Sequence, residues 1–240
     1  MFDSRGPTFL ELARQALSST TEGYDLLAPK FDYTPFRTPD EVIEAMVEVV
    51  GPPGSVERAL DVCCGTGAVM RKLRDRCRTS VTGIDLSQGM LDEARRRLAD
   101  APGDAMIVLE QQDALAMEFD EEFDVVTTAG ALGHILPEQQ DQFVEGIWSA
   151  LVPGGRLIFP TAPMPPVVSR RWLVSRGFNG VMHLRNALLK PPFIMFYLIF
   201  TLERAREVLE RNRFEVEVLR PFENGRFSDL CLIVATRPRG

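Results

Sequence analysis

From residue 58 onward the chain alternates short apolar runs with helical windows, and this rhythm limits the possible folds more than any other feature of the sequence. The spacing predicts strands at Arg58–Cys63, Ser80–Ile84, Ala105–Glu110, Phe123–Thr127 and Gly155–Phe159, with helices over about 67–76, 87–99 and 138–151. Strands separated by a helix pair in parallel, because the crossover returns the chain to the same edge before the next strand begins. The last third adds a helix over about 201–212 and strands at Phe214–Leu219 and Leu230–Thr236. The short link between those two strands holds Asn224-Gly225 and predicts an antiparallel hairpin. The expected fold class is α/β: a seven-stranded sheet, mostly parallel, with a C-terminal antiparallel hairpin and helices on both faces.

Upstream of this pattern, Phe9, Leu12, Ala13, Ala16 and Leu17 share one helical face, and Val42, Ile43, Met46, Val47 and Val50 share another. Two helices are expected there. Gly51-Pro52-Pro53-Gly54 then stops the second, so residues 1–50 read as an N-terminal cap and 51–240 as the main domain. A length of 240 residues suits one α/β domain, and 45% hydrophobic with 25% charged residues is the balance of a globular chain.

The charge excludes some partners. A net charge of −7 is the opposite of the basic footprint that phosphate backbones require, so DNA is not expected as a partner. Cys63, Cys64, Cys77 and Cys231 match no zinc-ligand spacing and read as reduced thiols, with no metal expected. The N-terminus carries acidic residues and lacks a signal peptide's apolar core, and the apolar run Phe193–Phe200 is too short to cross a bilayer. A cytoplasmic location is the expectation.

Ala59-Leu60-Asp61-Val62-Cys63-Cys64-Gly65-Thr66-Gly67 is a buried strand entering a glycine turn that opens directly into a helix. Gly65 and Gly67 there permit close backbone approach by a nucleotide-like cofactor, the alternative being a tight turn with no ligand. Asp85 follows Gly65 by twenty residues at the end of the second strand, where a carboxylate can accept from both hydroxyls of an adenosine ribose; helix capping is its other use. Gln112-Asp113-Ala114 follows the third strand, where an acidic side chain and an adjacent amide can meet an adenine edge or simply occupy an exposed loop. Met70 stands where the dinucleotide fingerprint requires its third glycine, which ranks NAD(P) behind S-adenosylmethionine as the cofactor.

The blocks ALDVCCGTG, VTGIDLS, QDALAM, FDVVTTAGALGHI and LVPGGRLIF, in this order, resemble the signatures of class I S-adenosylmethionine-dependent methyltransferases over residues 24–160. Cys63-Cys64 is similar to the glycine block of ubiquinone and menaquinone biosynthesis C-methyltransferases, whereas Thr127–His134 departs from what those enzymes carry after the fourth strand. The resemblance implies a Rossmann-like fold, S-adenosylmethionine as cofactor and S-adenosylhomocysteine as product. It puts Asp61 and Gly65 near the methionine amino group, within a loop that includes Cys63 and Gly67, and Asp85 on the ribose. It also sets Leu86 against the adenine, Asp113 and Ala114 at its edge, and the Ala129 backbone near the amino-acid end. Tyr24 and Tyr33 belong to a Y-D-x-x-A-x-x-F-D segment that looks like the cap preceding the fold in small-molecule methyltransferases. An aromatic face there attracts a cationic sulfur or serves ordinary packing.

Methyl transfer needs positioning more than a nucleophile, and a general base only where the acceptor must lose a proton. His134, after the fourth strand, is the first candidate for that role and His183 the second, each with a purely structural alternative. Between Gly146 and Leu202 there is no Asp or Glu, while Arg156, Arg170, Arg171, Arg176, Arg185 and Lys190 leave the remainder of the chain at −13. With its aromatic residues, the helical insertion over about 161–202 reads as a basic lid. Such a lid suits an anionic acceptor with an apolar body, or peripheral contact with an anionic membrane. Solvated arginines on a packed subdomain are the plain alternative, and RNA the third. The expected partner is a small-molecule acceptor such as a quinone, lipid or secondary metabolite. The competing functions are an NAD(P)-dependent oxidoreductase and a cofactor-binding protein without catalysis; the oligomeric state is not encoded in any of these features.

Overall fold

The computed structural model describes residues 5–222 and 225–240, so Asn224 of the expected turn lies outside the described residues. Seven strands form one sheet: β1 (Val56–Val62), β2 (Cys77–Asp85), β3 (Met106–Gln111), β4 (Phe123–Thr127), β5 (Leu151–Thr161), β6 (Glu215–Leu219) and β7 (Cys231–Thr236). Their order is β3-β2-β1-β4-β5-β7-β6. β1 to β5 pair in parallel, and β7 inserts antiparallel between β5 and β6. The two last strands pair with each other as expected.

Alternation of side chains along each strand supplies both faces of the core. Ala59, Val81, Val125 and Ile158 face one layer, made by α3 (Asp40–Val50), α4 (Ala68–Leu73) and α5 (Gln88–Leu98). Leu60, Ile84, Val126 and Leu157 face the other, made by α6 (Gln140–Ala150) and α8 (Leu202–Arg211). Strands buried on both faces carry nearly continuous apolar sequence, which is why they were legible as short runs. Sequence order reverses between β1 and β4, and the chain leaves these neighbours in opposite directions. That divergence opens a crevice at their carboxyl ends.

The described residues up to 50 hold three helices rather than two: α1 (Phe9–Leu17), α2 (Thr20–Leu27) and α3, with a 3-10 turn at Ala28–Tyr33. The break at Ser18 comes from a capping box, in which the Ser19 hydroxyl accepts from Glu22 N (3.2 Å) and the Glu22 carboxylate accepts from Ser19 N (3.3 Å). α3 is part of the core, since Ile43, Met46, Val47 and Val50 are buried with α4 and α5. α2, the 3-10 turn and the loop after it line the crevice as a cap, and α1 packs on α2. In the insertion, α7 (Arg170–Leu188) is followed by a strap, residues 189–201, without helix or strand. Buried Phe193, Phe196 and Phe200 anchor this strap.

Candidate functional site

The crevice is a cavity of about 540 Å³, within the range of roughly 300–1,000 Å³ common for small-ligand sites. Its floor is the turn after β1. Cys63, Gly65 and Gly67 all take positive φ (58°, 53° and 79°), a conformation that costs a side-chain-bearing residue such as Cys63 about 1 kcal/mol. The two glycines do different work. A Cβ on Gly65 would meet no protein atom within 4 Å, because the residue faces the cavity. A Cβ on Gly67 would stand 2.9 Å from Leu98 Cδ1, so this glycine brings α4 against α5 and does not line the cavity.

Three carboxylates surround that floor. Asp85 accepts from Gly65 N and Ser87 N, each at 2.9 Å, and so ties the glycine turn to the end of β2. Burial raises its pKa above the ordinary aspartate value. Asp61, at the end of β1, accepts from the Thr127 hydroxyl at 2.8 Å through Oδ1, while Oδ2 is buried without a partner. Burial pushes the Asp61 carboxyl up to about 7. An orphaned carboxylate oxygen in a cavity wall is costly to the empty protein and suits a ligand ammonium. Asp113 accepts from Leu115 N at 2.9 Å and lines the cavity with buried Ala114, half-exposed Leu86 and Ala129. Gln112, beside them, also has a buried oxygen, Oε1, without a partner.

The opposite wall comes from the cap and the strap. The Tyr24 hydroxyl lies 2.9 Å from His134 Nε2, and His134 Nδ1 reaches the Ile194 carbonyl. A carbonyl only accepts, so the imidazole proton is assigned to Nδ1 and Nε2 accepts from Tyr24. Burial lowers the pKa of His134 and raises that of Tyr24, which keeps both neutral. Ile194, Met195 and Tyr197 of the strap complete this wall with Phe31, Phe36 and Leu136.

Two aspartates fasten the cap. Asp25 accepts from the Ser87 hydroxyl (2.6 Å) and Gly89 N (2.8 Å) at the start of α5. Asp32 accepts from the Thr66 hydroxyl (2.6 Å) within the glycine turn and pairs with Arg97 at 2.8 Å. Sequence reasoning singled out the two tyrosines of this segment and passed over its acids, although Asp25 and Asp32 are the two acidic positions of the motif itself. Gln112 and Thr127 were also missed as contributors, since a lone amide or hydroxyl after a strand has no distinguishing pattern.

Two candidates lie elsewhere. Tyr33 does not line the cavity; the Arg5 guanidinium sits 4.4 Å from its ring centre. His183 is exposed on α7 and stacks at 4.5 Å on the strap's Phe196, outside the cavity lining. The basic residues of β5 and of the insertion also miss the cavity. Arg156 donates to Val49 O and Val50 O at the end of α3, and Arg185 to Ala16 O and Ser18 O. Arg37 is the sole Lys or Arg lining the cavity among the described residues, and it faces Asp40 at 2.8 Å.

Residues 59–155 match the family model described as a methyltransferase domain. The chain is 34% identical over 131 residues to a demethylmenaquinone methyltransferase of Clavibacter sepedonicus, covering 54% of this chain and 49% of that protein. It is 31% identical over 150 residues to a 27-O-demethylrifamycin SV methyltransferase of Amycolatopsis mediterranei, covering 56% and 54%. The chain spans about half the length of the curated relatives it matches. Among solved structures, the DhpI complex with S-adenosylhomocysteine is similar over 97% of this chain and 100% of that one, at a TM-score of 0.66 and 21% identity. No described helix is long and apolar enough to cross a membrane. The methyltransferase-domain match runs from β1 into β5 and takes in the glycine turn, so the segment that builds the cavity floor is the one this chain shares with methyltransferases.

Proposed function

We propose that this chain transfers a methyl group from S-adenosylmethionine to a small, predominantly apolar acceptor of the quinone, lipid or secondary-metabolite kind. The observation that carries the reading is the unpartnered Oδ2 of buried Asp61, set beside the open face of Gly65 in one cavity. An ammonium beside an α-carbon satisfies that oxygen. Asp85 then receives the ribose hydroxyls, Leu86 covers the adenine face, and Asp113 with Ala114 meets its edge. Ala129 offers backbone to the amino-acid end. When bound, the cofactor supplies a methyl group activated on a sulfonium.

The chain's own residues position the acceptor and handle its proton. Phe31, Phe36, Leu136, Ile194 and Met195 form an apolar wall, and the names of the demethylmenaquinone relatives favour an acceptor with a flat apolar body. Neutral His134, with its proton on Nδ1, keeps Nε2 as an acceptor aimed at Tyr24. An acceptor hydroxyl that displaces the Tyr24 hydroxyl donates to Nε2 and can pass its proton there. Water is excluded by the tyrosine and the strap.

Isothermal titration with S-adenosylmethionine, S-adenosylhomocysteine and NADH tests the assignment. The two sulfur compounds are expected to bind at one site per chain; tight binding of NADH alone would replace the methyltransferase reading with an oxidoreductase one. Strong binding without turnover of S-adenosylmethionine by any quinone, lipid or phenolic acceptor favours a binding protein instead.

A further inference from the structure

α7 turns an apolar stripe outward. Its inward face holds the strap by mixed contacts: the Asn179 side chain exchanges hydrogen bonds with the Tyr197 backbone (2.8 Å each way), Asn186 does the same with Phe193 (3.0 Å each way), and the Phe178 ring packs at 4.9 Å on Tyr197. Arg185 adds donors to Ala16 O and Ser18 O at the end of α1. Its outward face is apolar: Leu173, Val174, Val181, Leu184 and Leu188 are between 53% and 74% exposed. An amphipathic helix on a globular protein normally shows water the reverse arrangement. α1, whose end Arg185 binds, also exposes Phe9, Leu10 and Leu17.

The charge on this side identifies its occupant. Arg170, Arg176 and Lys190 are exposed around the apolar stripe, and no acidic residue occurs between Gly146 and Leu202, although the whole protein carries −7. Cations flanking an outward apolar face, on an otherwise acidic protein, complement a layer of anionic lipid headgroups over acyl chains. A soluble protein partner would be steered by the net charge and needs no such local reversal. We infer that α7, with the adjoining surface of α1, docks on an anionic membrane surface. Asn179 and Asn186 hold the strap to the same helix, and the strap's Ile194, Met195 and Tyr197 line the cavity. Docking therefore sets the apolar cavity wall directly behind the lipid-facing helix, where an acceptor dissolved in the bilayer can reach it.

Flotation of the full chain with lipid vesicles tests this without reference to turnover. Vesicles of mixed phosphatidylglycerol and phosphatidylcholine are expected to carry at least about tenfold more protein than phosphatidylcholine alone, with release at high salt. The double substitution Val181→Asp and Leu184→Asp is expected to reduce that flotation by about tenfold or more. S-adenosylhomocysteine affinity should stay unchanged, because neither side chain lines the cavity. The inference fails if the native chain does not float with anionic vesicles, or if the double variant floats as well as the native chain. It also fails if analytical ultracentrifugation shows a lipid-indifferent dimer that the same substitutions dissociate, since a second copy would then cover the face. Loss of S-adenosylhomocysteine binding by the native chain would strike the cofactor assignment and leave the vesicle result standing.

Discussion

The wall of the cavity made by the ends of β1, β2 and β4 and the wall made by α2, the Ala28–Tyr33 turn and the strap are held by different kinds of bond. In the first, each functional group sits where a strand ends, and parallel pairing places Asp61 beside Gly83 and Thr127 before any side chain is considered. In the second, no periodic element supplies the geometry. Tyr24, His134, Asn179 and Asn186 reach from separate segments to one another's side chains or to strap carbonyls and amides. The strand-end wall is therefore rigid and local in origin, whereas the cap and strap wall depends on a handful of side-chain contacts. Mutations should separate the two walls: those in the first act on cofactor affinity, and those in the second on turnover and closure.

The largest effect is expected from Gly65→Val. Its Cβ would enter the cofactor space with no protein atom within 4 Å, while the positive φ strains a β-branched residue by about 1–3 kcal/mol; titration should show binding weakened by about 3 kcal/mol or more in a chain that is less stable but still folded. Retained affinity would remove the glycine turn from the site. On the other wall, His134→Asn is expected to slow methylation of a hydroxyl-bearing acceptor about a hundredfold while leaving S-adenosylhomocysteine affinity intact. Because burial lowers the His134 pKa, the native rate should hold through neutral pH and fall only below the ordinary histidine value of about 6.5. An acid limb unchanged in the variant would show that another group takes the proton.

Asp85→Ala should weaken the cofactor product by roughly 1.5–3 kcal/mol, the scale of hydrogen bonds to a charged group, and unchanged affinity would exclude it from ribose contact. Asp61 tests the same wall through pH. Its carboxyl is raised to about 7, so its protonated form favours the ligand-free fold, a contribution fully present below the unfolded value and lost as pH rises through about 7. A ligand ammonium needs the ionised form. S-adenosylhomocysteine affinity should thus fall by up to roughly tenfold per pH unit below 7, and Asp61→Asn should abolish that slope. The smallest effect is expected from Asp25→Ala, which strips acceptors from Ser87 and Gly89. Urea unfolding should register a loss of about 1–2 kcal/mol; a loss confined to the cap, with no change in the core transition, would show that the cap opens by itself.

The strand-end wall was legible because its residues obey short-range rules. Gly65, Asp85 and Asp113 each stand at a fixed distance from the end of an apolar run, and the runs are continuous because both sheet faces are covered. The cap was half legible: the tyrosines drew notice as aromatics, but Asp25 and Asp32 find partners 62 and 34 residues away, beyond any local pattern. The basic insertion misled in one respect. Its arginines are concentrated in sequence near the strap, yet Arg185, like Arg156 on β5, satisfies helix-end carbonyls, and a count of charges does not report which way a side chain points.

The order of elements, the parallel pairing and the acids at the strand ends follow from sequence alone, since periodicity and turn chemistry act over a few residues. Tertiary structure decided which of two glycines faces the cavity, which histidine meets Tyr24, and that α7 shows an apolar stripe outward. Those outcomes depend on contacts between segments far apart in the chain, where only the packed fold sets distance and direction.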